Sequence, residues 1–200
     1  MLRLLCAALS LSACLAHGAP AHDVAQSVLL VARPGMPDPN FSESVVLVTL
    51  GQNSEALGVI LNRPLTRSLA EVLPGERFRR FTDPVYFGGP VADNALVALF
   101  QKEKAPGPVV TMLPDVFLAL DPDIVDTLLG DPPATIRFYS GYSGWAPGQL
   151  KAEIERGDWL VLDADAETVF RADASRLWQD LVRRARALRA ARGAVRRAAR

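Results

Sequence analysis

The sequence predicts a single domain of the α+β class. Its 200 residues, half of them hydrophobic and 22% charged, are typical of a globular chain with one sizeable core. Short runs with strand character and short segments with helix-capping residues follow one another along the chain. They lack the regular alternation that a doubly wound α/β fold requires. These observations together favour a mixed sheet with flanking helices.

Strands are predicted where short apolar runs are bounded by turn residues. The run over 27–32 is almost continuously apolar and ends at Arg33, Pro34 and Gly35, as expected of a buried strand. Further strands are predicted over 44–50, 56–61, 84–87, 95–101, 109–112, 116–120, 135–139 and 159–162. Asn53 and Glu55 indicate a hairpin turn before the third of these strands. The strand over 95–101 is expected to form a hairpin with 84–87.

Helices are predicted from their capping residues. Ser68 and Glu71, three residues apart, form a capping box for a short helix through Leu73. The other helix signals are Asp121 with Pro122 for a helix to Leu129, Pro147 for a helix that Gly157 ends, and Asp163 and Asp173 as caps of two later helices. Apolar residues spaced three and four apart predict an amphipathic helix over 174–188.

Charge is distributed unevenly along a chain whose formal net charge is zero. Residues 22–182 carry all 22 acidic side chains against 13 basic ones, whereas residues 183–200 carry eight arginines and no acid. We therefore divide the chain into an N-terminal segment over 1–21, an acidic domain over 22–182 and an arginine-rich helical extension over 183–200. Nucleic acid or an anionic membrane surface would contact only the extension, since the acidic domain repels phosphate groups. The alternative is a solvated extension with frayed ends.

The first 21 residues resemble a secretory signal peptide. Arg3 precedes an apolar run over 4–13, which is followed by small residues and is too short to span a bilayer. Residues 11–14 are similar to a lipobox, in which Cys14 would be lipidated, and cleavage after Ala21 is the competing interpretation. The pattern predicts a periplasmic protein or a membrane-anchored lipoprotein. A misassigned start codon is the alternative, and it would leave the protein in the cytoplasm.

The folded region lacks the side chains on which several classes of chemistry depend. Both cysteines, at positions 6 and 14, and both histidines, at positions 17 and 22, precede the first predicted strand. A catalytic thiol, a disulfide, a cysteine or histidine zinc site and a histidine-dependent triad are therefore excluded within the domain. Asp121, Asp123 and Asp126 fit helix capping better than a cation site, because the segment lacks the glycine and glutamate of an EF-hand loop. No cofactor or metal is predicted.

Four segments of the domain carry a family resemblance. VARPGMPDPNFSESVVLV, GVILNRPL, VYFGGPV and GYSGWAPGQLKAEIERGDWL resemble, in order and spacing, the signature blocks of the YqgE/AlgH family of small bacterial proteins. The resemblance covers about residues 27–182. It implies a compact domain whose largely antiparallel, bifurcated sheet folds into a pseudo-barrel. It also brings a label as a transcriptional regulator, which derives from an alginate-regulation phenotype, and no established catalytic residues.

Three features of these segments are candidates for ligand binding, and each has a structural alternative. Arg63, beside Asn62 at a strand end, could hold an anion, although pairing with a domain carboxylate is favoured. The backbone at Gly88 and Gly89 could face a ligand or simply form a tight turn. Tyr142 and Trp145, in a glycine-rich turn expected between strand and helix, could stack on a planar ligand, although core packing is the commoner fate of such rings.

We expect a noncatalytic binding or regulatory module that is exported or associated with a membrane. Its ligand or protein partner is not specified by the sequence. The alternative is a cytoplasmic transcriptional regulator, although an exported protein cannot reach a promoter. An enzyme is a third class, and it would require any two residues among the acids, Arg63 and Ser143 to converge in one cavity.

Overall fold

The structure is a computed structural model that describes residues 27–50 and 55–198. Its strands in chain order are β1 (Val28–Ala32), β2 (Val45–Leu50), β3 (Ala56–Ile60), β4 (Pro64–Ser68), β5 (Pro84–Phe87), β6 (Val91–Gln101), β7 (Val110–Leu113), β8 (Val116–Ala119), β9 (Thr135–Trp145) and β10 (Trp159–Asp163). Its helices are α1 (Leu69–Val72), α2 (Pro122–Gly130), α3 (Gln149–Arg156), α4 (Ala166–Val169) and α5 (Leu177–Ala198), with a 3-10 turn at Glu76–Phe78.

The sheet has two arms that share the long strand β9. In the first arm the strands run in the order β10, β1, β2, β3 and the C-terminal part of β9. In the second arm β4, β5, the N-terminal part of β9, β6, β8 and β7 lie side by side. β5 and β9 run parallel, and all other pairings of the described strands are antiparallel. The predicted α+β class and bifurcated, largely antiparallel sheet are thus confirmed.

The arms diverge at Gly141, where β9 passes from one set of partners to the other. This glycine has a φ of 70°, a left-handed conformation that favours glycine. Residues on its N-terminal side pair with β6, as does Tyr142, and Ser143, Gly144 and Trp145 pair with β3. The terminal strands β10 and β7 do not pair with each other. The pseudo-barrel that the resemblance implied is therefore an open structure in the described part of the chain.

Buried side chains lie in three clusters, one on each side of the first arm and one outside the second. The largest lies between the two arms and includes Leu29 of β1 and Leu181 of α5. The second cluster, beneath α3, includes Leu30 and Trp159. The third packs the outer face of the second arm against α1 and α2. Both faces of β1 are consequently buried, which explains its continuous apolar run.

The local helix signals agree with the structure at most positions. Ser68 and Glu71 form the predicted capping box at α1, with the Ser68 backbone N–H donating to Glu71 Oε2 at 2.7 Å. Asp121 caps α2 by accepting from the Asp123 N–H at 2.8 Å, and Gly157 ends α3 with a φ of 81°. The helix over 174–188 is present but runs from 177 to 198, so it includes most of the arginine-rich extension.

Three predictions about local structure are wrong. Residues 84–87 and 95–101 do not form a hairpin, because β9 lies between β5 and β6 in the sheet. The block after Tyr139 is not a glycine-lined turn, because β9 continues to Trp145 and only 146–148 form the turn before α3. α4 is capped by Asp165, whose side chain accepts from the Thr168 N–H, rather than by Asp163.

Two predictions concern positions outside the described residues. The hairpin turn at Asn53 falls in the gap between 50 and 55, and the export signal with Cys14 precedes residue 27.

Candidate functional site

Asn62 and Arg63 hold the loop between β1 and β2 in place. Asn62 accepts from the Val45 N–H at 2.8 Å and donates to the Glu43 carbonyl at 2.9 Å. Arg63 donates through its two terminal nitrogens to the backbone carbonyls of Asn40 and Ser42. The favoured interpretation of Arg63 as half of an ion pair is corrected, because its hydrogen-bond partners are carbonyl oxygens.

Burial also changes the electrostatics of Arg63. Partial desolvation lowers the pKa of its guanidinium, and the negative charge of Asp38 opposes that decrease. The group remains charged at neutral pH because an arginine begins from a pKa above 12. The charged guanidinium thus interacts with two backbone carbonyl groups of its own chain.

Gly88 and Gly89 permit the end of β5 to approach β9 very closely. A Cβ at Gly88 would lie 2.1 Å from the carbonyl oxygen of Gly141. Gly89 has a φ of 148°, and a Cβ there would lie 2.4 Å from both Ser143 Oγ and the Tyr142 carbonyl oxygen. The hydroxyl of Ser143, itself fully buried, donates to the Gly88 carbonyl at 2.9 Å. These glycines therefore serve close backbone packing.

Trp145 belongs to an aromatic cluster in the core. It is 5% exposed, its ring stacks on Phe41 with centroids 5.7 Å apart, and it meets Trp159 edge-on at 6.2 Å. The indole N–H groups of Trp145 and Trp159 both donate to the same oxygen of Glu153 at 2.9 Å. Tyr142 is half-buried and packs against the cluster between the arms. Both aromatic rings, Tyr142 and Trp145, are thus packed against other side chains, as the structural alternative in the sequence analysis predicts.

The six residues chosen from the sequence lie just after β3, just after β5 and in the C-terminal part of β9. None of them lines any of the three cavities described below. Their role in ligand binding stays a prediction. Ser143 and Arg63 line none of these cavities, whereas the acidic residues Asp165, Glu167 and Asp180 together line the cavity of about 920 Å³.

The most apolar of the three cavities is a groove of about 580 Å³ beside β4. We call it the β4 groove and define it by its lining: residues 64–67 of β4, Leu69, Val72 and Leu73 at α1, Val85 of β5, residues 94–96 of β6, and Ser140 of β9. Leu65 and Val72 stand at its rim with 41% and 44% of their surface exposed. The groove exists because α1 is only four residues long and leaves part of the second arm uncovered.

Four consecutive β4 residues line the groove, so side chains from both faces of this strand contact it. β4 pairs with β5 alone among the described strands, which leaves its other edge without a strand partner. An unpaired strand edge presents backbone donors and acceptors to an incoming chain. The sequence reasoning missed β4 because its PLTRS segment is exposed and follows what reads as a strand-ending turn at Asn62. The apolar residues on either side of the capping box were the only available signal.

The other two cavities are more polar, and one of them contains arginines bound to backbone carbonyls. In a cavity of about 550 Å³, Arg80 donates to the last carbonyls of α2, and Arg137 donates to the carbonyls of Val169 and Arg171. The largest, of about 920 Å³, lies between α4 and α5 and includes Asp180, which pairs with Arg171 at 2.7 Å. These charges brace helices against the sheet.

The buried hydroxyl of Tyr139 has no hydrogen-bond partner among the described residues. Burial raises its pKa to about 12, although the nearby Arg137 guanidinium opposes part of this rise. Tyr139 therefore carries its proton throughout the physiological range. Because its ring packs between the arms beside Tyr86 and does not line a cavity, we assign it a core role.

No group of three or more metal-ligating side chains occurs within the described ranges. Asp121, Asp123 and Asp126 accordingly have individual roles: Asp121 caps α2 and Asp126 pairs with Arg77 at 2.8 Å. Among the described helices, none is both long enough and apolar enough to cross a membrane.

This architecture defines the structural class of the protein: a small α+β domain with two sheet arms that share one strand. Comparison with known sequences then identifies the family: the AlgH-like family (DUF179) matches residues 29–188, and the chain belongs to it. The match spans both arms and most of the described part of α5. The resemblance of the four sequence segments is thereby confirmed.

Relatives and solved structures agree with this assignment. A UPF0301 protein from Myxococcus xanthus is 37% identical over 163 residues, covering 78% of this chain and 87% of its own length. A UPF0301 protein from Thermobifida fusca is 38% identical over 168 residues, covering 78% and 84%. The solution structure of AlgH from Pseudomonas aeruginosa has a TM-score of 0.66 at 27% identity and covers 83% of this chain and 92% of that one. The chain is therefore similar to these proteins over nearly the whole described domain.

Proposed function

We propose that this protein is a noncatalytic binding module that takes an extended apolar segment of a partner polypeptide along β4. The observation that carries the proposal is the β4 groove, which combines an apolar floor with the unpaired edge of a strand. A peptide added to such an edge gains affinity from backbone hydrogen bonds and specificity from side chains placed in adjacent pockets.

The chemistry of the groove specifies the kind of segment. Leu69, Val85 and Leu96 give it an apolar floor, and Leu65 and Val72 extend this surface to the rim. An apolar side chain of the ligand would gain about 25 cal/mol for each Å² that it removes from water there. The absence of histidine and cysteine from residues 27–198 is compatible with a site that binds without transforming its ligand.

The export interpretation supplies the proposed location. The segment over 1–21, with Cys14 in a lipobox-like context, supports a periplasmic or membrane-anchored form of this module. The alternative is a cytoplasmic transcriptional regulator with a misassigned start. A fusion of residues 1–26 to a reporter that matures only outside the cytoplasm is expected to be active. An inactive fusion, with normal expression, would favour the cytoplasmic alternative.

The peptide-binding proposal is tested by phage display. The full chain is immobilised as the target, and peptides that bind it are selected from a random library displayed on phage. Selected peptides are expected to be apolar and to bind the Val72→Asp variant at least tenfold more weakly, because a carboxylate at the rim must be desolvated on binding. Val161→Asp is the matched control, since Val161 is also 44% exposed but lies on β10, away from the groove.

A second chemical change distinguishes strand addition from simple pocket binding. Methylation of the backbone nitrogens of a selected peptide is expected to abolish its binding, because strand addition requires those donors. Failure to select any peptide, or equal binding by the Val72→Asp variant, would overturn the proposed site. Binding that survives methylation would exclude pairing with β4.

A further inference from the structure

The long helix α5 has two halves with different surroundings. Its first half is anchored to the domain: Leu177, Leu181 and Ala185 are buried, and the indole N–H of Trp178 donates to the Ala32 carbonyl at 2.7 Å. No residue after Ala185 is buried among those whose side chains are described. The helix nevertheless continues to position 198, about 20 Å further at 1.5 Å per residue. The side chains over 186–191 are all exposed.

The second half carries a high density of positive charge. Eight arginines and no acidic residue occur from position 183 to the end of the sequence. Arg183 pairs with Asp180, whereas Arg186 and Arg189 are exposed and make no ion pair with the described part of the domain. Because domain residues 22–182 are acidic overall, a negatively charged surface would attract this helix and repel most of the remainder.

Residues 186–191 of α5 have one basic and one apolar face. Arg186 and Arg189 lie three residues apart and therefore share one face. Ala187, Leu188 and Ala191 occupy the opposite face, and 44% of the Leu188 surface is exposed. Nucleic acid requires only the basic face, whereas the boundary between water and lipid can accommodate both faces of such a helix.

We infer that α5 beyond Ala185 lies on the surface of an anionic lipid bilayer, with its arginines at the phosphate groups and Leu188 at the acyl boundary. This inference is independent of the β4 groove and of lipidation at Cys14. The acidic charge of the domain confines contact to the helix, so membrane binding orients the molecule. Each arginine near such a surface contributes about fivefold to partitioning.

The test is sedimentation of the full chain with phosphatidylcholine vesicles that contain about one third phosphatidylglycerol, compared with phosphatidylcholine alone. The measured quantity is the difference between the two vesicle types, which removes any contribution of the N-terminal segment to neutral lipid. We expect preference for the anionic vesicles, weakening at high salt. The double variant Arg186→Ala/Arg189→Ala is expected to reduce that preference about 25-fold.

Matched variants separate the lipid surface from other anions. Arg77→Ala/Arg79→Ala removes two exposed arginines elsewhere and is expected to leave partitioning unchanged. Leu188→Ser is expected to weaken vesicle binding without affecting binding to a short DNA duplex. The inference is overturned if the wild type shows no anionic preference, if the double variant retains it, or if the duplex binds more tightly than the vesicles.

Discussion

Glu153 is expected to be the most important charged residue for stability in the domain. One of its oxygens accepts from the indole N–H groups of both Trp145 and Trp159 at 2.9 Å, and the other accepts from Gln149 at 3.0 Å. Hydrogen bonds to a charged acceptor contribute about 1.5–3 kcal/mol each, so losing the two indole bonds should cost about 3 kcal/mol. In a domain of this size, Glu153→Ala should lower the Tm by about 6–12 °C.

Urea unfolding followed by tryptophan fluorescence measures this loss directly, because two of the three tryptophans lie at the perturbed site. Glu153→Gln should lose less than Glu153→Ala, since an amide oxygen still accepts hydrogen bonds but lacks the charge. The control is Glu155→Ala on the same helix, where the only partner is Lys151 at 4.0 Å and both side chains are exposed. Equal losses in the Glu153→Ala and Glu155→Ala variants would refute the reasoning.

Two further predictions concern a glycine of the backbone and the decrease in the free energy of unfolding at acid pH, which we call the acid limb. Gly88→Ala should cost about 3 kcal/mol, because its Cβ would lie 2.1 Å from the Gly141 carbonyl oxygen, whereas Gly130→Ala meets nothing within 4 Å and should change the urea midpoint little. Hydrogen bonds from Ser68 lower the pKa of Glu71 below the ordinary value of a glutamate, so the stabilisation that Glu71 provides is complete above that ordinary value and is lost as pH falls through the lowered pKa. Glu71→Gln should therefore flatten the acid limb, and an NMR titration of the Glu71 carboxyl with a midpoint at or above that ordinary value would contradict this.

The sequence predicted features that depend on neighbours along the chain. The capping box at Ser68, the cap at Asp121 and the C-terminal glycine at position 157 all involve residues within four positions of one another. Short apolar runs likewise marked the strands, because burial on both faces leaves few polar residues in β1. Local chemistry of this kind is legible without knowledge of the tertiary structure.

Features set by distant segments were not predictable from the same signals. The glycines at 88 and 141 suggested turns, but they are required because two strands come from 50 residues apart and nearly touch. Trp145 illustrates the same difficulty: its partner Phe41 lies more than 100 residues away. Replacing Trp145 with alanine would therefore open a cavity in the core, and any ligand loss in that variant would have to be separated from unfolding. The β4 groove was not predictable from the sequence, because it forms where the short helix α1 leaves part of the second arm of the sheet uncovered.

The shared strand β9 has a consequence for the order in which this protein can fold during synthesis. Until residue 145 has left the ribosome, β3, β5 and β6 each retain an edge that only β9 can pair. Nascent chains would thus carry three unpaired edges at once, a condition that favours aggregation. The edge of β1 that does not pair with β2 is paired only later in synthesis, when β10 becomes available. The sheet can therefore be completed only when about four fifths of the sequence, through β10, is available.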